Sequence, residues 1–569
     1  MNRRKSVFCQ EKSICFFLVI TFLLLGYSCK NNIVQKSTQE EKSKPNIVNI
    51  INFIRLIEPR DANITEDVLY QTVVKQVEMM KEYRLGGTFL LQYDALMDER
   101  YQKLLKDLPR DSFEIGAWWE IPQPLVEKAG LKWRGRFPWD WHADVGFSTG
   151  YTPEERIKLA DVYMEDFKTV FGYYPKSVAS WFIDAYTLNY LYEKYDIVAS
   201  ANCKDQYGTD GYTMWGGYWN QAYYPSKINS YMPAQHKENQ IPVPIFRMLG
   251  SDPLRQYDTG LGHTIQGVIT LEPVYSKAGG DADWVKWYLD QFVNGESMEF
   301  AYTQAGQENS FTWNGMKKGF EIQLPLISKL RDENKVKVET LEESGKWFKK
   351  NYDLTPATSV TVTNSKGALL NDNRKTVWYN SRFYRANLLW EEDGSLKFRD
   401  IHLFDESLKS LYFDEKLESN QASFFTLPIV DGYLWSKPED LAGLSFKGLL
   451  NGKETLLVGG SPEVTSTTKG KLTILWPLTN IEGSILMEFY ERKVTITYDG
   501  SNEINWFLDL KASNRLGELP FKNINLTTID SKFENINYSI KAEKGSFSVP
   551  SEEVIFRISP QENSIELEF

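Results

Sequence analysis

From residue 46 to about residue 329, short apolar runs rich in β-branched residues alternate with stretches whose apolar positions recur every three or four residues. The first pattern predicts strands and the second predicts helices. Residues 46–56 form one such run. Thr65 then opens a helix with Leu69, Val73, Val77 and Met80 on one face, closed by Gly86-Gly87. Strands are expected at 88–93 and 113–120. Thr152-Pro153-Glu154-Glu155 is a capping box with Pro at the first helical position, and Ile157, Ala160, Met164, Phe167 and Phe171 line that helix until Gly172 stops it. Further strands are expected at 177–183, 197–202, 244–249, 267–271 and 298–302. Strand and helix in alternation, with seven or eight strands, predict an α/β fold with a β/α barrel.

The segment 206–240 breaks this rhythm, being full of Gly, Tyr, Trp, Asn and Pro without periodicity. A long irregular stretch inside a barrel is expected to be a substrate-facing loop. Helical sequence at 315–350 bridges to a second region. After Thr355 the runs become short and alternating, as in Ser359-Val360-Thr361-Val362-Thr363 and Val494-Thr495-Ile496-Thr497-Tyr498, separated by Asn, Asp and Gly. This is the pattern of an all-β sandwich over 356–569. The barrel with its bridging helix is assigned to 46–350.

The N-terminus reads as an export signal over 1–28: Arg3, Arg4 and Lys5 precede an apolar run from Ile14 to Gly26 that is short for a membrane span. Gly26-Tyr27-Ser28-Cys29 resembles a lipobox, which makes Cys29 the expected lipidation site and 29–45 a flexible polar tether. Of the four cysteines, Cys9 and Cys15 leave with the signal, so Cys203 is the remaining thiol of the body and no disulfide can form in the mature chain. The expected location is the cell envelope, lipid-anchored and facing the periplasm or the exterior, with the membrane as a partner.

Composition sharpens the choice of ligand. The 569 residues carry a net charge of -11, which argues against a nucleic-acid partner. Aromatic residues are abundant, at 17 Trp, 31 Tyr and 32 Phe, and such rings stack on the apolar faces of sugars. An oligo- or polysaccharide is the expected partner. Trp118, Trp215, Trp219 and Tyr224 are candidate stacking groups, and Asp205, Asp210, Asp252, Gln307 and Glu308 are candidate hydroxyl-binding groups.

Barrel enzymes keep their chemistry at the C-terminal ends of the strands. Acids ending apolar runs are Glu58, Glu120, Asp184, Glu272 and Glu308, with Asp252 close behind another run. Hydrolysis of a glycosidic bond needs one protonated carboxyl and one carboxylate. Glu120 and Asp184 are the expected catalytic pair, with Glu272 as the third candidate. A metal is not expected: His142, His236, His263 and His402 show no metal-ligand spacing, although Asp140, His142 and Asp144 could meet His263 through the fold. No Gly-x-Ser-x-Gly, phosphate loop or dinucleotide motif is present, so no cofactor is expected.

The strand Glu114-Ile115-Gly116-Ala117-Trp118-Trp119-Glu120 resembles that of polysaccharide deacetylases, which reads Glu-Ile-Gly-x-His-Thr-x-x-His and holds the metal through its imidazoles. Trp118 stands where the first His would fall. The resemblance continues through Tyr151-Thr152-Pro153-Glu154-Glu155, Gly172-Tyr173-Tyr174-Pro175 and the strand ending at Asp184. Over residues 45–569 the chain resembles an uncharacterised family of two-domain Bacteroidetes lipoproteins, known as domains of unknown function, whose front half falls among glycoside hydrolase/deacetylase barrels. That resemblance implies a fold and a carbohydrate substrate class. The reading is a membrane-anchored protein hydrolysing glycosidic bonds by paired carboxylates without a metal. The alternative is a glycan-binding lipoprotein on a barrel that has lost catalysis.

The lipobox generates a first prediction. Cys29→Ser is expected to abolish metabolic labelling with palmitate and shift the protein out of the membrane fraction; unchanged labelling would remove the lipid anchor. Stable anchoring requires more than one acyl chain.

Overall fold

Strand β1, Asn46–Ile54, has eight of its nine residues buried, the burial of a strand covered on both faces. The computed structural model describes residues 44–569 except 249, 251, 255–268, 369–370, 438–439, 467–469, 502 and 515. The signal segment, Cys29 and nearly all of the tether therefore lie outside the described residues. So do His263 and the first two residues of the expected 267–271 strand.

β1 pairs in parallel with Ala301–Ala305 on one side and with β2, Gly87–Leu91, on the other. The parallel layer continues through β3, Phe113–Trp118, and β4, Val178–Ala179. An isolated parallel bridge from Ser177 to Ala199 leads on to β5, Ser200–Asn202, which pairs in parallel with Ile245–Arg247. The short strand Lys337–Glu339 also runs parallel to β1. The described part of the 267–271 run, residues 269–271, forms no ladder, and the 177–183 run shrinks to β4 because the chain bends at Trp181 and enters a helix at Ala185.

Helices between these strands follow the sequence pattern closely. Thr65 caps Glu66–Glu82 by accepting from the Val68 N–H, and Leu69, Val73, Val77 and Met80 are buried as expected. Thr152 and Glu155 form the capping box of Pro153–Phe171, and Gly172 ends it at φ 82°, the left-handed conformation that glycine adopts without penalty. Ile157 is only half-buried, and Arg156 takes the inner position. The expected 315–350 helix is two, Thr312–Asp332 and Leu341–Asn351, separated by Lys337–Glu339. Among the described residues no helix is long and apolar enough to cross a membrane.

From Thr358 the described chain forms antiparallel strands in two large sheets, of eleven and eight strands, the larger also taking in Ser297–Met298. The alternating run Lys493–Asp499 buries every second residue, and Phe446, Trp476, Ile474, Ile496 and Trp506 fill the space between the sheets. Two β-pairings cross between the front and back halves. Ser297–Met298 joins Thr358–Thr363 at the edge of the larger sheet, and Ala422–Phe425 pairs in parallel with Tyr212–Trp215.

The second pairing corrects the expectation for 206–240. This segment is not an open loop but the seam between the halves, and its aromatic rings are consumed there. Trp215 is buried and donates its indole N–H to Asp431 at 2.8 Å. Trp219 stacks on Trp378, with ring centroids 5.0 Å apart. Tyr224 is buried, with its backbone N–H on Thr355 and its hydroxyl on the Tyr352 carbonyl. Asp252 accepts from Trp378 and Thr376, at 2.9 and 3.1 Å. Asp210 is exposed in a turn at φ 52°.

Asp205, also expected to bind sugar, is a buried charge hub. Arg247 and Tyr231 donate to its Oδ1, each at 2.9 Å, and Arg385 from the back half pairs with Oδ2. Arg385 in turn holds Asp400 through two bonds of 2.9 and 2.8 Å. Burial pushes the Asp205 carboxyl up, but Arg385 and Arg247 together hold it below the ordinary carboxylate range. Gly216, at φ 86°, lets the chain pass this seam, where a Cβ would meet Thr426 and His402.

Asp205→Asn leaves two buried guanidinium groups facing each other without their shared carboxylate. It is expected to lower the unfolding free energy by about 3–5 kcal/mol in urea titration. Lys237→Ala, which removes the exposed pair with Asp353, is expected to cost less than about 1 kcal/mol. Equal effects would deny the seam its structural role.

Candidate functional site

Residues just beyond the C-terminal ends of the parallel strands meet around Arg55, which directly follows β1. Its guanidinium is buried and grips Glu120 through two parallel bonds, Nε to Oε2 at 2.8 Å and Nη2 to Oε1 at 2.6 Å. Nη1 lies 2.6 Å from Glu308 Oε2. Gln92, following β2, donates to the same Glu120 Oε2 at 2.8 Å. Trp139 closes the group, its ring 4.2 Å from the Arg55 guanidinium carbon. Burial alone would lower the Arg55 pKa, but Glu120 and then Glu308 raise it, so the cation is permanent.

Three carboxyls nearby keep or gain proton affinity. Asp94 is pushed up to about 7 by burial, with the backbone N–H groups of Ala95 and Leu56 opposing and Glu120 reinforcing. Glu272 is pushed up to about 7, again by burial, while Gln307 and Thr270 oppose by donating to its two oxygens at 2.9 and 3.0 Å. Glu308 is raised by burial, with Arg55 opposing. A carboxyl that titrates near neutrality can give a proton to a leaving oxygen.

Cys203 and Lys204 extend the cluster from the end of β5. Burial raises the thiol to about 12, which leaves it protonated and unreactive. Burial lowers Lys204 to about 8, with Cys203, Asp205 and Glu272 opposing that fall. Tyr275 completes the surroundings, its hydroxyl feeling Glu272 and Glu308.

The expected residues divide sharply. Glu120, Glu272, Gln307 and Glu308 are brought together, and Trp118 lies at the end of β3, stacked on Phe53 at 3.9 Å and edge-on to Trp181. Glu58 lies alongside, bound to Arg60 through contacts of 2.6 and 2.7 Å. Asp184 is a correction. It caps Ala185–Tyr195, accepting from the Thr187 N–H at 2.8 Å and its hydroxyl at 2.7 Å, and it also binds Ser148 and Arg156. With both oxygens committed it is a structural acid. Asp205, Asp252, Trp215, Trp219 and Tyr224 lie in the seam, and Asp210 in an exposed turn.

Arg55, Gln92, Asp94, Trp139 and Lys204 belong to no sequence motif. Arg55 and Lys204 were in principle discoverable, since each is a cation immediately after an apolar strand. Their partners were not, because Glu120 and Glu308 lie far along the chain from Arg55.

The metal implied by the deacetylase resemblance does not fit these donors. Trp118 offers an indole N–H where an imidazole nitrogen would be needed, and both oxygens of Glu120 are occupied by Arg55 and Gln92. Among the described residues no group of three or more His, Cys, Asp or Glu side chains could hold a metal ion. His142 sits edge-on to Trp141, His236 binds Glu406, and His402 binds Thr426 and Asp431.

Comparison with known proteins places this geometry among others. No curated protein matches the chain. A solved structure from Parabacteroides distasonis, named a "putative glycoside hydrolase/deacetylase", is similar at 16% identity and a TM-score of 0.48, over 70% of this chain and 89% of that one. A "putative polysaccharide deacetylase" from Mycobacterium smegmatis is similar at 12% identity and a TM-score of 0.34, over 54% and 91%. A "probable polysaccharide deacetylase" from Pseudomonas aeruginosa PAO1 is similar at 11% identity and a TM-score of 0.34, over 55% and 93%. The protein is a mixed α/β chain with glycoside hydrolase/deacetylase-like neighbours over part of its length, and its residues 144–359 match a family described as a domain of unknown function with a solved structure, DUF3863.

Proposed function

We propose that this is a carbohydrate-active protein that hydrolyses glycosidic bonds with carboxyl groups alone, on a β/α barrel tethered to the cell envelope through an acylated Cys29. One observation carries the proposal. Three buried polar atoms at the ends of parallel strands, Gln92 Oε1, Trp118 Nε1 and Gln307 Oε1, have no hydrogen-bond partner among the described residues. Unspent donors and acceptors beside an aromatic ring and titrating carboxyls are what a polyhydroxylated ligand requires.

In this reading Glu272 is the acid that protonates the leaving oxygen. Glu308, paired with the Arg55 cation, takes the role of the carboxylate that attacks the anomeric carbon or activates water. Glu120 is a positioning residue: its two bonds to Arg55 fix the cation that Glu308 needs. In this reading the bonds made by Glu120 and Asp184 are structural, and Glu272 takes the acid role in place of that pair.

A glycan array followed by reducing-sugar release on the hits separates binding from turnover. Glu272→Gln and Glu308→Gln are each expected to bind the same glycan and to lose at least about 100-fold in turnover. Wild-type activity in both variants would end the carboxylate mechanism, and binding without sugar release in the parent protein would establish the glycan-binding alternative. Activity in the parent protein is expected to fall as pH rises above about 7, as Glu272 loses its proton. Its folded-state value lies above the ordinary 4.5, so its contribution to stability is complete below about pH 4.5 and is lost as pH rises through about 7. Glu272→Gln should reduce the slope of that part of the stability profile, leaving the share contributed by Asp94 and Glu114.

A further inference from the structure

The cation at the end of β5 is less fully used than the other cations of the cluster. An ammonium carries three donors, and Lys204, 4% exposed, makes a single hydrogen bond among the described residues, to the Asp205 carbonyl at 3.1 Å. The charged and titratable groups around it are Cys203, Asp205, Glu272 and Arg247. None of them is placed to complete it. The Asp205 carboxylate is taken by Arg247, Arg385 and Tyr231. The Glu272 oxygens accept from Gln307 and Thr270. Arg247 and the Cys203 thiol offer no negative charge.

Arg55, by contrast, is filled by Glu120 and Glu308, and Arg60 by Glu58. A buried ammonium with two donors idle among the described residues is costly unless something supplies acceptors. Because Lys204 interacts with Glu272 across the strand ends, an acceptor bound there would lie beside the carboxyl assigned above to acid catalysis.

Resting on that carbohydrate reading, we propose that Lys204 recognises the negative substituent of an acidic sugar, a carboxylate or a sulfate, next to the bond cleaved. The substrate is thereby an anionic glycan. An anion at this point keeps Lys204 protonated and, by repelling a second negative charge, keeps the proton on Glu272 until the leaving oxygen takes it. Recognition and acid catalysis are coupled through one charge pair.

The test uses the detergent-solubilised full chain on an array of uronate-bearing, sulfated and neutral glycans. The best acidic hit is then titrated calorimetrically beside its neutral counterpart, carboxyl-reduced or desulfated. The acidic form is expected to bind at least about 10-fold more tightly, and to lose that advantage as pH rises through about 8. Lys204→Met, with Lys204→Gln as a second variant, should erase the preference while leaving affinity for the neutral form within about threefold. A preference for uronates over sulfated glycans, or the reverse, identifies the substituent.

Equal binding of acidic and neutral forms by the parent protein overturns the assignment and leaves the carbohydrate reading intact. Preference retained in a folded Lys204 variant does the same. If neither variant folds, the parent protein's preference and its pH dependence decide. Binding to no glycan on the array overturns both proposals.

Discussion

The structure turns on the buried carboxylate of Asp205. It takes one guanidinium from the front half, Arg247, and one from the back half, Arg385, and removing any of the three strands the others in a medium that does not solvate them. The same Arg247 donates to the Cys203 carbonyl at 2.8 Å and to the Tyr218 carbonyl at 2.8 Å. The hub therefore fixes the backbone at the end of β5. Lys204, hydrogen-bonded to the Asp205 carbonyl, inherits its position from a contact whose other side lies in the β-sandwich region. That dependence gives the back half a role in shaping the site without lending it any side chain.

Six of the buried acids fall into two kinds, distinguished by their partners. Asp184, Asp205 and Glu120 are saturated by cations or cap bonds and do architectural work. Asp94, Glu114 and Glu272 are each pushed up to about 7 by burial, with only neutral donors in contact. Elevation alone does not mark function. Glu114 lies at the opposite end of β3, where it accepts from Thr88 and the Glu342 N–H. What distinguishes Glu272 is its place among unspent polar groups at the strand ends, beside a second carboxyl held by Arg55.

The aromatic excess illustrates how far composition can mislead. Trp215 and Trp219 stand in an irregular Gly- and Tyr-rich stretch that reads as an exposed loop, yet both are buried in the seam. The rings left near the carboxyls include Trp118, Trp139 and Tyr275. Trp118 is visible in the sequence because it ends an apolar run. Trp139 is not, because it lies in a loop whose path to Arg55 has no local signature.

Local rules determined what depends on residues close in sequence. The β-branched runs, the apolar stripe of Glu66–Glu82, the capping box at Thr152 and the alternation of Lys493–Asp499 are set within a few turns or a few residues, and the structure follows them. The same rules placed Glu120, Glu272 and Glu308 behind apolar runs. Which acids would be neutralised was a matter for tertiary structure. Asp184 and Glu120 are equivalent by strand-end position, but each is spent by an Arg whose approach depends on how distant strands and helices pack, Arg156 for one and Arg55 for the other. Charge pairing acts over ångströms in space, and a single sequence records no such distance. Hence the strand ends were legible from the chain, while the division of their carboxyls into structure and chemistry was decided only by the fold.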